Sequence, residues 1–187
     1  MDKQDVRAQA LSHRAARSDA ARSEAAEAIA AHLLAEPVVA RARRVAAYLS
    51  LPTEPGTGPL LDALADRGTE VLLPLSRPDR TLDWVVHEPG APLLPSTLGV
   101  PQPSGEPVGP DALASCDVVL VPALAADVHG RRLGRGAGYY DRALAGLDVP
   151  LCALVFTDEL LDAVPAEPHD VPVNLVATPD GVHRVLS

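Results

Sequence analysis

Unbroken apolar runs, each separated from the next by a helical or loop stretch, constrain the fold of this sequence more than any other feature. The runs are RVAAYLSLP from Arg44, TEVLLPLS over 69–76, DVVLVPAL over 117–124, PLCALVF over 150–156 and VNLVATP over 173–179. A strand that is apolar on both faces needs cover on both sides, as the strands of parallel sheets have. The pattern therefore predicts an α/β fold with a mostly parallel sheet.

The segments between the runs carry helix and turn signals. Residues 2–35 are Ala-rich, with a break at Ser18, a typical N-cap residue, and a stop at Pro37. The other predictions are helix over 58–68, an edge strand over 82–88, ordered loop over 89–110, helix from Tyr139 and a helical turn over 158–164. Together they predict a three-layer, Rossmann-like architecture with helices on both faces and ligands bound at the carboxyl ends of the strands.

Length and charge limit the size of the protein and the kind of partner it binds. A chain of 187 residues buries roughly 70% of its unfolded surface as one domain, so we predict a single domain over 1–187. The net charge of −9 argues against binding to nucleic acid. The N-terminus does not resemble a signal peptide, and no apolar run approaches the roughly 20 residues of a membrane span. We expect a monomeric cytoplasmic protein with no nucleic-acid or membrane partner.

The stretch GRRLGRGAGYYD over 130–141 combines glycine, arginine and tyrosine more densely than any other part of the chain. It follows a predicted strand and precedes a predicted helix. Glycines there let backbone N–H groups approach an anion, and arginines add bidentate donors. The arginines are Arg131, Arg132 and Arg135. Phosphate is the ligand that fits this chemistry, and Asp141 is suitably placed to hold a magnesium ion beside it.

Two other interpretations of the loop are open at this point, and a third, the P-loop, is excluded. A nicotinamide site requires G-x-G-x-x-G with an acid about 20 residues further on; Asp158 satisfies the spacing, but Tyr139 replaces the third glycine. A P-loop requires G-K-[ST], which is missing from the sequence. A merely flexible turn explains the glycines and leaves the neighbouring arginines unexplained.

The loop, together with V-P-A-L-A-A-D before it, resembles the signature of the 5-formyltetrahydrofolate cyclo-ligase (5,10-methenyltetrahydrofolate synthetase) family. Other segments are similar to that family in the expected order. These are K-x-x-x-R at Lys3 and Arg7, Y-L-S-L-P-T-E-P-G-T over 48–57, V-P-Q-P over 100–103 and P-x-x-P-H-D over 165–170. The resemblance covers nearly the whole chain.

The resemblance implies an ATP- and Mg²⁺-dependent enzyme that converts 5-formyltetrahydrofolate to 5,10-methenyltetrahydrofolate and releases ADP and phosphate. ATP phosphorylates the formyl oxygen, the neighbouring nitrogen N10 attacks the activated carbon, and phosphate departs. The protein contributes mainly positioning and charge neutralisation.

The resemblance also implies a role for individual residues of this chain. The implied ATP-binding residues are Lys3, Arg7, Arg132, Leu133, Gly134, Arg135, Gly136, Ala137, Gly138, Tyr139 and Tyr140. The implied folate-binding residues are Leu49, Glu54, Arg135, Gly136, Ala137, Gly138 and Tyr139. The implied catalytic residues are Tyr140 and Arg135, and the implied magnesium ligands are Asp141 and Asp170.

Simpler roles are open for several of these residues. Lys3 and Arg7 face one side of a helix and are compatible with a solvated surface. Glu54 is compatible with a turn cap, and Tyr140 with ordinary packing. His169 is assigned no role.

The chain departs from the family pattern at Ala123, Ala126 and Ala137. The family usually has glycine and phenylalanine at the first two, and often lysine or glycine at the third. The loss of a phenyl ring and of a charge keeps a second hypothesis open, namely a folate- or nucleotide-binding protein that has lost or changed its catalysis.

Overall fold

The computed structural model describes residues 2–96 and 99–185. In these ranges the α-helices are α1 (Lys3–Ala16), α2 (Asp19–Ala35), α3 (Pro37–Ala40), α4 (Gly58–Asp66) and α5 (Tyr139–Leu144). The strands are β1 (Arg44–Ala46), β2 (Glu70–Ser76), β3 (Leu82–Val86), β4 (Leu93–Leu94), β5 (Gln102–Pro103), β6 (Val118–Pro122), β7 (Ala125–Asp127), β8 (Arg132–Leu133), β9 (Leu151–Leu154), β10 (Leu160–Leu161), β11 (Leu175–Thr178) and β12 (Gly181–Arg184). Short 3₁₀ helices lie at Pro110–Ser115 and Thr157–Glu159.

Seven strands form the central sheet in the order β12-β11-β9-β6-β1-β2-β3. The five inner strands are parallel, and the two edge strands, β3 and β12, are antiparallel to their neighbours. The chain leaves β1 toward β2 on one side and later returns to β6 on the other. The strand order therefore reverses between β1 and β6, which is where ligands bind in folds of this kind.

Both faces of the central sheet are covered, as the continuous apolar runs predict. On one face, Leu33 of α2 and Leu64 of α4 are fully buried against strand residues that include Val45. On the other face, Leu144 of α5 packs with residues that include Trp84. Burial of each such leucine contributes about 1.5–3 kcal/mol to the free energy of unfolding. The predicted mostly parallel α/β fold is confirmed.

The N-terminal segment forms two helices with the break where the sequence predicts it. The Ser18 side chain accepts a hydrogen bond from the backbone N–H of Ala21, at 3.2 Å, and so caps α2. Helix α2 ends at Ala35, in agreement with the stop predicted at Pro37, and Pro37 then begins the separate short helix α3. Proline is suited to the first turn of a helix, since the N–H that it lacks has no helical partner there.

Three short strand segments replace predicted loop or helix. Leu93–Leu94 and Gln102–Pro103 pair as a small hairpin inside the predicted loop 89–110, of which residues 97–98 lie outside the described part. The predicted helical turn over 158–164 is wrong beyond Glu159, because Leu160 and Leu161 pair with β7. A short apolar run is compatible with either helix or strand. Here Leu160 and Leu161 become a strand because they pair with the edge of β7. None of the helices over 2–96 and 99–185 has the length and apolar character of a membrane span.

Candidate active site

A cavity of about 350 Å³ opens at the carboxyl ends of β1, β2 and β6, at the reversal of strand order. Its wall includes Tyr48, Leu49 and Glu54 after β1, Gln102 of β5, and the whole segment 134–141. A wider depression of about 720 Å³ lies at the opposite edge of the sheet, beside Ala42, Asp117 and Pro150, where strands begin. Most of the predicted site residues line the first cavity, although Lys3, Arg7, Leu133 and Asp170 do not, so that cavity is the candidate active site.

The glycine loop reaches the cavity because two of its glycines adopt left-handed backbone. Gly136 has φ +94° and Gly138 has φ +74°, conformations that cost little for glycine and much more for other residues. The guanidinium group of Arg7 lies beside Gly136, at 3.5 Å from the position a β-carbon would occupy. Gly138 immediately precedes α5. The loop therefore turns sharply, brings its backbone into the cavity wall and leads into Tyr139 and Tyr140.

Helix α1 brings its two predicted cations to this end of the molecule, although neither lines the cavity. Arg7 donates from Nε to the carbonyl of Gly134 at 3.0 Å. Lys3 Nζ donates to Glu167 at 2.6 Å and to Asp170 at 2.7 Å. Burial alone would lower the pKa of Lys3, but its hydrogen bonds to the two carboxylates outweigh burial and raise it. Lys3 is therefore a fixed cation rather than part of a solvated helix face.

Arg132 and Asp141 contact each other in the cavity wall. The Arg132 side chain is almost fully buried, and its Nη2 forms an ion pair with Asp141 Oδ1. Its Nε has no hydrogen-bond partner among the described residues. Asp141 also accepts a hydrogen bond from the backbone N–H of Val171 at 3.4 Å, which brings the segment after Asp170 to the same place.

Glu54 has two roles that the sequence left as alternatives. Its Oε2 accepts a hydrogen bond from the backbone N–H of Leu51 at 2.9 Å, which caps the turn after β1. Its Oε1 accepts from Nε of Arg135 at 3.3 Å. The Glu54 side chain is only 7% exposed, and it orients Arg135 at the cavity while it closes its own turn.

Two tyrosine hydroxyls at the cavity lack a partner among the described residues. The hydroxyl of Tyr140 is buried and makes no hydrogen bond. Burial raises the pKa of Tyr140, the Glu54 carboxylate raises it further, and Arg132 opposes both effects. Tyr140 is therefore a neutral donor at physiological pH, in a place where a donor without a partner costs about 1–3 kcal/mol. The pKa of Tyr48 is also raised well above its ordinary value, chiefly by burial and next by Glu54, but its hydroxyl, unlike that of Tyr140, is not sealed from the cavity.

Some singled-out residues do not reach the cavity. Leu133 is buried in a small cluster that includes Val6 of α1 and Ala125 of β7, so its side chain supports the loop from behind. Ala126 is fully buried in the core against β8 and β10 and is not part of the cavity wall. Asp158 lies 46% exposed beside Arg17 and His13.

The two predicted magnesium ligands fit a hard divalent cation by their chemistry, since Mg²⁺ prefers carboxylate oxygen. Asp170 lies within 4.8 Å of Glu167 and His169, counted between potential ligand atoms. Burial alone would raise the pKa of Asp170, but the hydrogen bond from Lys3 helps to hold it below 3.8. Asp141 is engaged by Arg132 instead. Each carboxylate therefore already faces a cation.

A buried ion pair behind the cavity was missed by sequence reasoning. Arg14 donates to both carboxylate oxygens of Glu159, at 2.6 and 2.7 Å, and from Nη2 to the carbonyl of Ala123 at 2.6 Å. Arg14 is 0% exposed. The available signal was its position on the α1 face that also carries Lys3 and Arg7, at helical spacing.

Fold and site together define a class: a doubly wound α/β protein whose cavity, at the strand reversal, combines a glycine–arginine loop with buried tyrosines and carboxylates. The chain belongs to the 5-formyltetrahydrofolate cyclo-ligase family, whose model matches residues 1–179. It is therefore an enzyme of the ligase class, which confirms the family and the enzyme class that the motifs predict.

Curated relatives agree with this assignment. The chain is 44% identical to a 5-formyltetrahydrofolate cyclo-ligase of Mycolicibacterium smegmatis, over 73% of this chain and 74% of the relative. It is 31% identical to the Escherichia coli K12 protein of the same name, over 78% of this chain and 83% of the relative.

Solved structures show the same fold. The 5,10-methenyltetrahydrofolate synthetase of Aquifex aeolicus is similar with a TM-score of 0.85 and 27% identity, over 100% of this chain and 94% of that one. The synthetase of Mycoplasma pneumoniae shares the fold at a TM-score of 0.74 and 23% identity, over 95% of this chain and 98% of that one.

Proposed function

We propose that this enzyme converts 5-formyltetrahydrofolate to 5,10-methenyltetrahydrofolate in a reaction that consumes ATP and requires Mg²⁺. One observation carries the proposal. A single cavity joins the glycine–arginine loop, suited to phosphate, with the buried donor Tyr140 and the buried carboxylate Glu54, suited to a polar heterocycle. Membership of the cyclo-ligase family supports the substrate, and relatives named for the same reaction support it further.

The first step is transfer of the γ-phosphoryl group to the formyl oxygen. That oxygen attacks the terminal phosphorus of ATP, the bond from this phosphorus to the bridging oxygen breaks, and ADP leaves. Arg135 and the loop backbone donate hydrogen bonds to the phosphoryl oxygens, where negative charge must be neutralised. Tyr140, neutral and without a protein partner, donates to the formyl oxygen and fixes its orientation.

The second step closes the ring. Nitrogen N10 attacks the formyl carbon, and the carbon–oxygen bond to phosphate breaks. The N10 proton leaves with the phosphate, so the products are the methenyl cation, ADP and inorganic phosphate. An amide-like oxygen is a poor leaving group, and a phosphate is a good one. The conversion of the formyl oxygen to a phosphate leaving group explains why the reaction consumes ATP.

Three internal ion pairs prepare the site for a charged ligand. They are Lys3–Asp170, Arg132–Asp141 and Arg135–Glu54. Phosphate competes for the cations, and a divalent cation compensates Asp141 and Asp170, which would otherwise lose their partners. Asp141 and Asp170 would hold Mg²⁺, which when bound neutralises phosphate charge. The exchange keeps the charges paired, which matters most for the buried side chains of Arg132 and Glu54, since an unpaired buried charge costs several kcal/mol.

Two alternatives are weaker. Ala126 and Ala137 favour a folate- or nucleotide-binding protein without catalysis, but Ala126, the position of the missing phenyl ring, lies outside the cavity wall, whereas Ala123 and Ala137 line it. A nicotinamide site needs Asp158 at the ligand, whereas Asp158 forms an ion pair with Arg17 beside α1. Family membership also argues against it. A single domain over 1–187, a monomeric state and a cytoplasmic location stay predictions.

An isotope experiment tests the mechanism. The enzyme is given 5-formyltetrahydrofolate that carries ¹⁸O in the formyl group, together with ATP and Mg²⁺, and the released phosphate is analysed by mass spectrometry. Phosphorylation of the formyl oxygen predicts one ¹⁸O in each phosphate. Unlabelled phosphate accompanied by methenyl product would rule out phosphorylation of that oxygen.

A further inference from the structure

Tyr48 is a cavity residue to which the family motif gives no role. It follows β1 and lines the same cavity as Glu54 and Tyr140. It is only 4% exposed. Among the described residues, no hydrogen bond reaches its hydroxyl, and only its backbone carbonyl is used. The hydroxyl, unlike that of Tyr140, is not sealed from the cavity, so a bound ligand can contact it.

The loop that carries Tyr48 is closed on itself. Thr57 donates its hydroxyl to the carbonyl of Tyr48 at 2.7 Å. Ser50 and Thr57 also exchange hydrogen bonds, each side chain accepting from the other's backbone N–H, at 3.0 and 3.2 Å. Glu54 is held by Leu51 in the same loop. Tyr48 and Glu54 are therefore fixed relative to each other before any ligand arrives, as a recognition site requires.

The two side chains offer complementary chemistry. The Glu54 carboxylate only accepts hydrogen bonds, while the Tyr48 hydroxyl can donate one. The two groups interact electrostatically, and burial together with the Glu54 carboxylate keeps Tyr48 protonated. A bound ring that places donors against Glu54 can therefore place an adjacent acceptor against Tyr48.

The pterin ring of a folate has this pattern along one edge. Its 2-amino group and N3–H are donors, and the neighbouring 4-oxo group is an acceptor. We propose that Tyr48 donates to the 4-oxo oxygen while Glu54 accepts from the amino edge, so that Tyr48 is a specificity-determining residue for 4-oxo pterins. The inference rests on the proposed folate function and adds a residue and a discriminating atom to it.

The test compares two ligands and two proteins. Binding of 5-formyltetrahydrofolate and of its 4-amino analogue, in which the oxo group is replaced, is measured by titration calorimetry with the wild-type enzyme and with Tyr48→Phe. One hydrogen bond corresponds to roughly a three- to tenfold change in affinity. Tyr48→Phe should therefore reduce the wild-type preference for the 4-oxo ligand by about fivefold. Its kcat should stay near the wild-type value, because the contact is equal in ground and transition states.

Tyr140→Phe provides the contrast, since it removes a hydroxyl from the same cavity and should leave the preference for the 4-oxo ligand unchanged. An unaltered preference in Tyr48→Phe overturns the inference. So does a loss of kcat at constant KM, because that result places Tyr48 at the reacting formyl group. If the wild-type enzyme binds neither folate, the proposed function itself fails. Melting temperatures of both variants at or above the wild-type value show that the core is intact.

Discussion

Among single residues, Tyr140 has the most direct role in the proposed reaction. Its buried hydroxyl has no hydrogen-bond partner in the described part of the protein and is available to the formyl oxygen. We predict that Tyr140→Phe lowers kcat by about 100-fold, the usual effect of removing one donor that stabilises developing charge. The melting temperature should not fall, since phenylalanine fills the same space. Steady-state kinetics and thermal melts measure both. A kcat within twofold of the wild-type value would exclude Tyr140 from the chemistry.

Asp141 is the residue at which a metal role is tested most cleanly. Asp141→Asn removes the charge but keeps an oxygen that can accept from Val171. We predict that the Mg²⁺ concentration needed for ADP binding, measured by calorimetry, rises about tenfold or more. Asp148→Asn, an exposed carboxylate change in the loop after α5, is the matched control and should match the wild-type titration. Identical titrations for the two variants would contradict the assignment of Asp141.

Helix α1 is attached to the rest of the protein more by charged side-chain contacts than by apolar packing. Its apolar contact is a small cluster around Val6, whereas Arg14 makes three charged or polar contacts beneath the cavity. Glu159→Gln leaves the Arg14 charge buried and uncompensated. We predict that it lowers the free energy of unfolding by about 3 kcal/mol in urea titrations.

Two further variants give that experiment its controls. Asp158→Asn breaks the neighbouring ion pair with Arg17, but that carboxylate is 46% exposed, so its cost should stay below about 1 kcal/mol. The double change Arg14→Met with Glu159→Leu should recover most of the loss, since a well-packed apolar pair often replaces a buried ion pair. Equal costs for Glu159→Gln and Asp158→Asn would mean that Arg14 does not anchor α1.

The elements also separate what local sequence determines from what it leaves open. The five runs that predict strands all contain strands of the central sheet, because an apolar run of that length must be buried on both faces. The sequence predicts helix at Leu160–Leu161. These residues instead form a strand because an edge of β7 is available for them to pair with. The same holds for the ion pair of Arg14 and Glu159, whose partners lie far apart in the chain. Long-range pairing of this kind leaves no local pattern to read.

For the site, the sequence predicts most of the residues that line the cavity but not how they pair before ligand binds. Glu54, Arg135 and Tyr140 converge on one cavity, as the motifs imply. Their charges are already matched internally, and Arg132 contacts Asp141 rather than solvent. A motif describes the liganded arrangement, whereas the unliganded chain must satisfy its own buried charges first.

At the scale of the whole molecule, stability should fall in acid partly through Asp83 of β3. Burial alone would raise the pKa of Asp83, but hydrogen bonds from Arg77 and from the backbone N–H groups of Trp84 and Gly109 outweigh it and hold the pKa below 3.8. A carboxylate with a lowered folded pKa adds stability above its unfolded pKa and loses it as pH falls through the folded pKa. Asp83 therefore stabilises the protein at neutral pH and contributes less below about pH 4.

We predict that Asp83→Asn lowers the melting temperature at neutral pH and that its difference from the wild type shrinks as pH falls below about 4. The measurement is a series of thermal melts between about pH 7 and pH 3. Asp148→Asn again supplies the exposed control, with little difference at any pH. A gap between Asp83→Asn and the wild type that stays constant across the series would show that the Asp83 charge is not the cause.

The central claim is that this cavity holds a triphosphate beside a formyl-folate and couples the two. Its most direct test is the absorbance of the methenyl-folate band after the protein is mixed with 5-formyltetrahydrofolate, Mg²⁺ and ATP, with an ATP-free mixture as the control. An increase that depends on ATP and is stoichiometric with the ADP formed is the predicted result. No increase with folded protein, or an equal increase without ATP, would contradict the account.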